Sequence, residues 1–109
     1  MKRYALTVDL KDDPQLIKEY EELHQRVWPE ILRSIIASGI LNMEIYRMDN
    51  RLFMTMDTSN EFSFEKKAAM DTDNEKVQEW ETLMWKYQQK IPSAKPGEKW
   101  ILMNKIFEL

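Results

Sequence analysis

The chain has 109 residues, 43% of them hydrophobic and 32% charged, with a formal net charge of −3 and no cysteine. That length supports a single domain, residues 1–109, with a real core. Interleaved charges leave no basic patch to follow phosphates, which argues against a nucleic-acid partner, and the lack of cysteine excludes disulfides and thiolate catalysis.

The N-terminal run reaches Asp9 before a signal-peptide core could form. No apolar run approaches the roughly 18 residues a membrane span needs, so a cytoplasmic location without membrane contact is expected. Residues 3–10 alternate, with Tyr4, Leu6, Val8 and Leu10 on one face, and predict a strand. Asp13 then caps a helix that starts at Pro14 and runs to Ser38, where Gly39 supplies the stop. Pro29 falls inside that pattern and predicts a kink or break near Val27 and Trp28. Residues 40–48 and 51–57 read as a hairpin turning at Asp49-Asn50. Ser59 or Asn60 opens a short helix to about Met70, and Thr72 with Glu75 has the spacing of a capping box for a helix to about Lys90. Pro92, Pro96 and Gly97 mark a loop, and residues 99–107 predict the last strand.

The order βαββαβ is that of the α+β ferredoxin-like fold, an antiparallel sheet with helices on one face. Two strands are apolar on both sides: Phe53 alternates with Leu52, Met54 and Met56, and Ile101, Met103 and Phe107 alternate with Trp100, Leu102 and Ile106. One layer of helices covers one face, so a second copy of the chain is the expected cover for the other, as in dimeric α/β barrels.

The single histidine stands on the helical stripe Leu16, Tyr20, His24, Val27 or Trp28, Ile31 and Ile35. Tyr20 and His24 are one turn apart, and a phenol beside an imidazole on an inward face is either a satisfied core pair or the polar part of a pocket. His24 has the chemistry of a general acid or base near neutral pH. Trp80, Met84 and Tyr87 share a stripe with Val77, with Trp85 on its flank; they are either core or an aromatic platform for a sugar ring. Glu30 follows Pro29 where a helix dipole favours a carboxylate, and it could equally accept from a sugar hydroxyl. Asp71 and Asp73 are explained by a capped helix start, and no spacing predicts a metal site. Gly39 and Gly97 are the only glycines, so there is no phosphate loop.

The run Tyr20-x-x-x-His24-x-x-x-Trp28-Pro29-Glu30 resembles the start of the L-rhamnose mutarotase family. Glu44-Ile45-Tyr46, Ala68-Ala69 and Gln78-Glu79-Trp80 extend the resemblance over nearly the whole chain. It implies a cytoplasmic homodimer without a cofactor that interconverts the α and β anomers of a 6-deoxy-L-hexose. His24 then matches the family's proton donor, Tyr20 a substrate-binding tyrosine, and Trp80 the first of two adjacent substrate-binding tryptophans. Met43 and Glu81 stand where members acting on L-rhamnose carry a second tyrosine and a second tryptophan. The Phe62–Met70 and Lys95–Trp100 segments are similar to a branch associated with L-fucose. Two other classes remain open: a ferredoxin-like dimer that binds a small molecule without turning it over, and a cofactor-independent oxygenase of the related dimeric barrels.

Overall fold

The computed structural model describes residues 1–109. In chain order the elements are β1 (Lys2–Leu10), α1 (Pro14–His24), α2 (Pro29–Ala37), β2 (Ile40–Met48), β3 (Arg51–Thr58), α3 (Phe64–Thr72), α4 (Glu75–Trp85), β4 (Gln88–Gln89) and β5 (Ile101–Leu102). The five strands form one sheet in the order β2-β3-β1-β4, with β5 also pairing with β1, and every pairing is antiparallel. This is the ferredoxin-like arrangement expected from the sequence.

Local chemistry sets the boundaries. The Asp13 carboxylate accepts from the N–H groups of Gln15 (2.9 Å) and Leu16 (3.2 Å) and Pro14 opens α1, so two otherwise unpaired donors are satisfied. Pro29 does not merely kink the helix. It becomes the first residue of a separate helix, α2, and leaves His24 as the last residue of α1. Gly39 ends the segment at φ +99°, and a Cβ there would meet Ser59 Oγ at 3.0 Å. The Asp49-Asn50 turn joins β2 to β3 with Asp49 at φ 52°, a left-handed position that aspartate tolerates.

Three regions differ from expectation. Ser63, not Ser59 or Asn60, caps α3 by accepting from Lys66 N–H. Asn74, not Thr72, caps α4, accepting from Lys76 N–H (3.1 Å) and Val77 N–H (3.2 Å). The Thr72 hydroxyl instead donates back to the Ala68 carbonyl, a bond open to a threonine already inside a helix.

The third difference is at the sheet edge. Helix α4 stops at Trp85 instead of Lys90, because the Tyr87 carbonyl accepts from Lys11 N–H (2.8 Å) and Gln88–Gln89 pairs with Leu10 and Asp9. The strand expected over 99–107 is confined to Ile101–Leu102, opposite Thr7 and Leu6, followed by one bond from Met103 N–H to the Ala5 carbonyl. Both pieces lie along the same edge of β1, so they act as one edge strand interrupted by the proline-bearing segment 90–100. Beyond Met103 the chain leaves this edge without pairing to Lys2–Tyr4, and Ile106 and Phe107 lie exposed off the sheet.

The core lies between the sheet and the helices. Val8, Leu10 and Leu52 from the strands meet Tyr20, Ile31, Val77, Trp80, Met84 and Tyr87 in one buried cluster; Leu6, Ile40, Met54, Met56 and Phe62 form a second. The opposite sheet face carries the Arg3–Asp57 and Arg51–Asp9 ion pairs and the Tyr46–Phe53 aromatic pair. Tyr46 is 55% and Phe53 38% exposed, so no element of this chain covers that face.

Candidate functional site

The break made by Pro29 places the C-terminal turn of α1 over the β2–β3 hairpin. Tyr20, Glu21, His24 and Gln25 from that turn, Ile45, Tyr46 and Arg47 from β2, and Leu52 from β3 line a cleft of about 480 Å³. A second recess of about 430 Å³, bounded by Arg3, Glu44, Tyr46, Phe53, Thr55 and Asp57, lies on the uncovered sheet face. Its charged groups are the Arg3–Asp57 ion pair and Glu44, whereas the first cleft holds the single histidine, so the first cleft is the candidate site.

The His24 ring is fixed on three sides. Its Nδ1 lies 2.8 Å from the Tyr20 carbonyl oxygen. A carbonyl only accepts, so Nδ1 carries the hydrogen and the neutral ring keeps a bare lone pair on Nε2. The Tyr20 ring lies at 4.2 Å between centroids, and Trp80 stands edge-on at 5.6 Å. Trp28 packs edge-on against Trp80 at 5.1 Å, so the second aromatic layer is held as well.

Electrostatics follow from this burial. Desolvation pushes the His24 imidazole below its ordinary range and outweighs the opposing bond to the Tyr20 carbonyl, so the ring is neutral at pH 7. Burial pushes the Tyr20 phenol up to about 12, against a smaller opposing effect of its bond from Gln88. Tyr20 therefore keeps its proton at neutral pH. Two residues one helix turn apart thus line the cleft: His24, whose Nε2 can accept a proton, and Tyr20, whose phenol keeps its own.

Arg47 supplies positive charge at the rim. Its Nε–H donates to the Glu21 carboxylate, and Nη1 donates to the Asp49 carbonyl at 2.7 Å. A guanidinium has five N–H groups, so others remain for a ligand. Sequence reasoning missed Arg47, although a signal was present. On β2 the residues Met43, Ile45 and Arg47 share the helix-facing phase, and a charge in an apolar phase is out of place. Glu21 and Gln25 carry no such mark.

Trp80 is only 9% exposed and contacts the site through the His24 ring without lining the cleft itself. Met43 packs against the second core cluster, and the Glu81 carbonyl lies 3.5 Å from Lys99 Nζ; neither lines the cleft, nor does Glu30.

The L-rhamnose mutarotase family matches residues 3–109 of this chain. The chain belongs to that family. The L-fucose mutarotase of Xanthomonas campestris pv. campestris is 40% identical over 111 residues, covering 100% of this chain and 89% of the relative. The solved structure of an L-rhamnose mutarotase from Formosa agariphila has a TM-score of 0.73 at 22% identity, covering 100% of this chain and 99% of that one. A dimeric ferredoxin-like protein from an uncultured marine organism has a TM-score of 0.57 at 13% identity, covering 85% of this chain and 95% of that one. At those identities the two solved structures bear on the fold, and both share it. Tyr20 and His24 both line the cleft, while Tyr20, 3% exposed, also belongs to the buried core cluster.

Proposed function

We propose that this mutarotase-family protein interconverts the α and β anomers of a 6-deoxy-L-hexose, with L-fucose preferred over L-rhamnose. The observation that carries the reading is the neutral His24 ring, its Nε2 unpaired, stacked close to the ring of a protonated Tyr20 that lines the same cleft. Opening a hemiacetal ring requires removal of the anomeric hydroxyl proton and protonation of the ring oxygen. The free aldehyde turns about the C1–C2 bond and closes on its other face by the same steps reversed. His24 Nε2 takes the anomeric hydroxyl proton, and the imidazolium so formed delivers it to the ring oxygen as the C1–O5 bond breaks; closure runs the same transfers in reverse, so His24 is both the proton acceptor and the proton donor. The Tyr20 hydroxyl binds a sugar oxygen, and Trp80 supports the site from behind the imidazole. Positioning and proton transfer suffice for such a reaction.

The preference for L-fucose rests on the 40% identity to an L-fucose mutarotase; Met43 and Glu81, where two aromatic residues are expected for L-rhamnose, stand outside the cleft and do not carry it. The uncovered sheet face with Tyr46 and Phe53 supports a homodimer as the working form, in a fold that a known dimeric protein shares. A cytoplasmic location goes with this reading; no helix is long and apolar enough to cross a membrane. Saturation-transfer NMR with L-fucose, L-rhamnose and D-galactose tests it. Protein-dependent exchange of the deoxy sugars, fastest for L-fucose, is expected. Binding without exchange would instead make the protein a ligand-binding module.

A further inference from the structure

The Oε1 atom of Gln88 is the one buried side-chain oxygen or nitrogen with no hydrogen-bond partner. Gln88 is 2% exposed and sits in β4, where its backbone pairs with Leu10. A glutamine at this depth leaves a polar atom desolvated without return, and an apolar side chain of similar size would avoid that penalty. The amide has one partner. Its Nε2 lies 3.4 Å from the Tyr20 hydroxyl, and this is the only hydrogen bond of that hydroxyl.

We propose that Gln88 is a positioning residue for sugar binding, acting through Tyr20. A phenolic O–H prefers the plane of its ring, with two directions open to the proton. An amide N–H donating to the oxygen from one side leaves the proton the other direction. Tyr20 lines the cleft while Gln88 does not, so the proton turned away from Gln88 is offered to a sugar oxygen. Because burial keeps the phenol protonated, that donor persists across the neutral range. Without Gln88 the hydroxyl is free to rotate, and fixing it falls to the substrate. The inference rests on the reading of Tyr20 as a sugar-binding group.

The test is a double-mutant cycle between Gln88→Met and Tyr20→Phe, read by kcat/KM for anomer exchange of L-fucose and by melting temperature. Gln88→Met should lower kcat/KM by roughly tenfold, the upper range for one hydrogen bond, mainly through KM. Its melting temperature should be unchanged or higher, since a buried unpartnered atom is removed. In the Tyr20→Phe background the same substitution should change kcat/KM by less than about twofold, because there is no hydroxyl left to orient. Equal losses in both backgrounds would mean that Gln88 acts on structure alone and would overturn the proposal, as would wild-type kcat/KM in Gln88→Met. If Gln88→Met does not fold, Gln88→Leu takes its place in the cycle, and failure of both would show a structural role and refute the proposal. Wild-type exchange in Tyr20→Phe alone would overturn the reading of the site itself, and this inference with it.

Discussion

Replacing His24 by alanine separates its chemical role from its packing role. The substitution removes ring contacts to Tyr20 and Trp80 and one bond to a backbone carbonyl. Aromatic pairs contribute about 0.5–1.5 kcal/mol each beyond area burial, and a hydrogen bond about 1 kcal/mol, so the cost is about 2–4 kcal/mol. That lies below the ~5–15 kcal/mol stability of a typical domain, and His24→Ala should fold. The Tyr20 carbonyl is not stranded, since it belongs to the backbone ladder of α1. Activity should respond far more strongly, because a positioned acid–base group contributes about 10²–10⁴-fold. The assay is anomer exchange by saturation transfer, with circular dichroism to confirm the fold. A folded His24→Ala variant exchanging at the wild-type rate would refute the acid–base assignment and return His24 to the core.

Four further predictions follow from the same geometry. Burial holds His24 below its ordinary value near about 6.5, so exchange should be level through neutral pH and fall only in more acidic solution; a midpoint at or above about 6.5 would contradict it. The stability that a neutral His24 provides is fully present above its unfolded value and is lost as pH falls through its lowered folded value, so His24→Ala should unfold less steeply in acid than wild type. Arg47→Leu should raise KM for the sugar by roughly tenfold with little loss of stability, since the exposed pair with Glu21 contributes about 0–1 kcal/mol; an unchanged KM would remove Arg47 from the site. Phe53→Asp should leave a monomer by light scattering where wild type is a dimer, and a monomeric wild type would contradict the dimer.

Much of this was legible from periodicity. The alternation of β1 and the Asp13-Pro14 start of α1 are local signals, and the structure follows them. Pro29 announced the interruption that leaves His24 at a helix end, where a side chain reaches a cleft. The split edge strand was not legible, because it depends on which carbonyls β1 and Lys11 leave open to Tyr87 and Gln88, a matter of tertiary pairing. Thr72 and Asn74 are both sound caps by composition, and only the actual helix start separates them. Within the site, Tyr20 and His24 were visible as polar groups on an apolar stripe. Gln88 was not, because a lone glutamine after a helix looks solvated until the sheet buries it.

The most direct test of the account is the rate of α–β exchange of L-fucose at pH 7 as a function of wild-type protein concentration, with L-rhamnose measured alongside. The account predicts a rate that rises in proportion to protein and is greater for L-fucose than for L-rhamnose. Exchange of both sugars at the protein-free rate would contradict it.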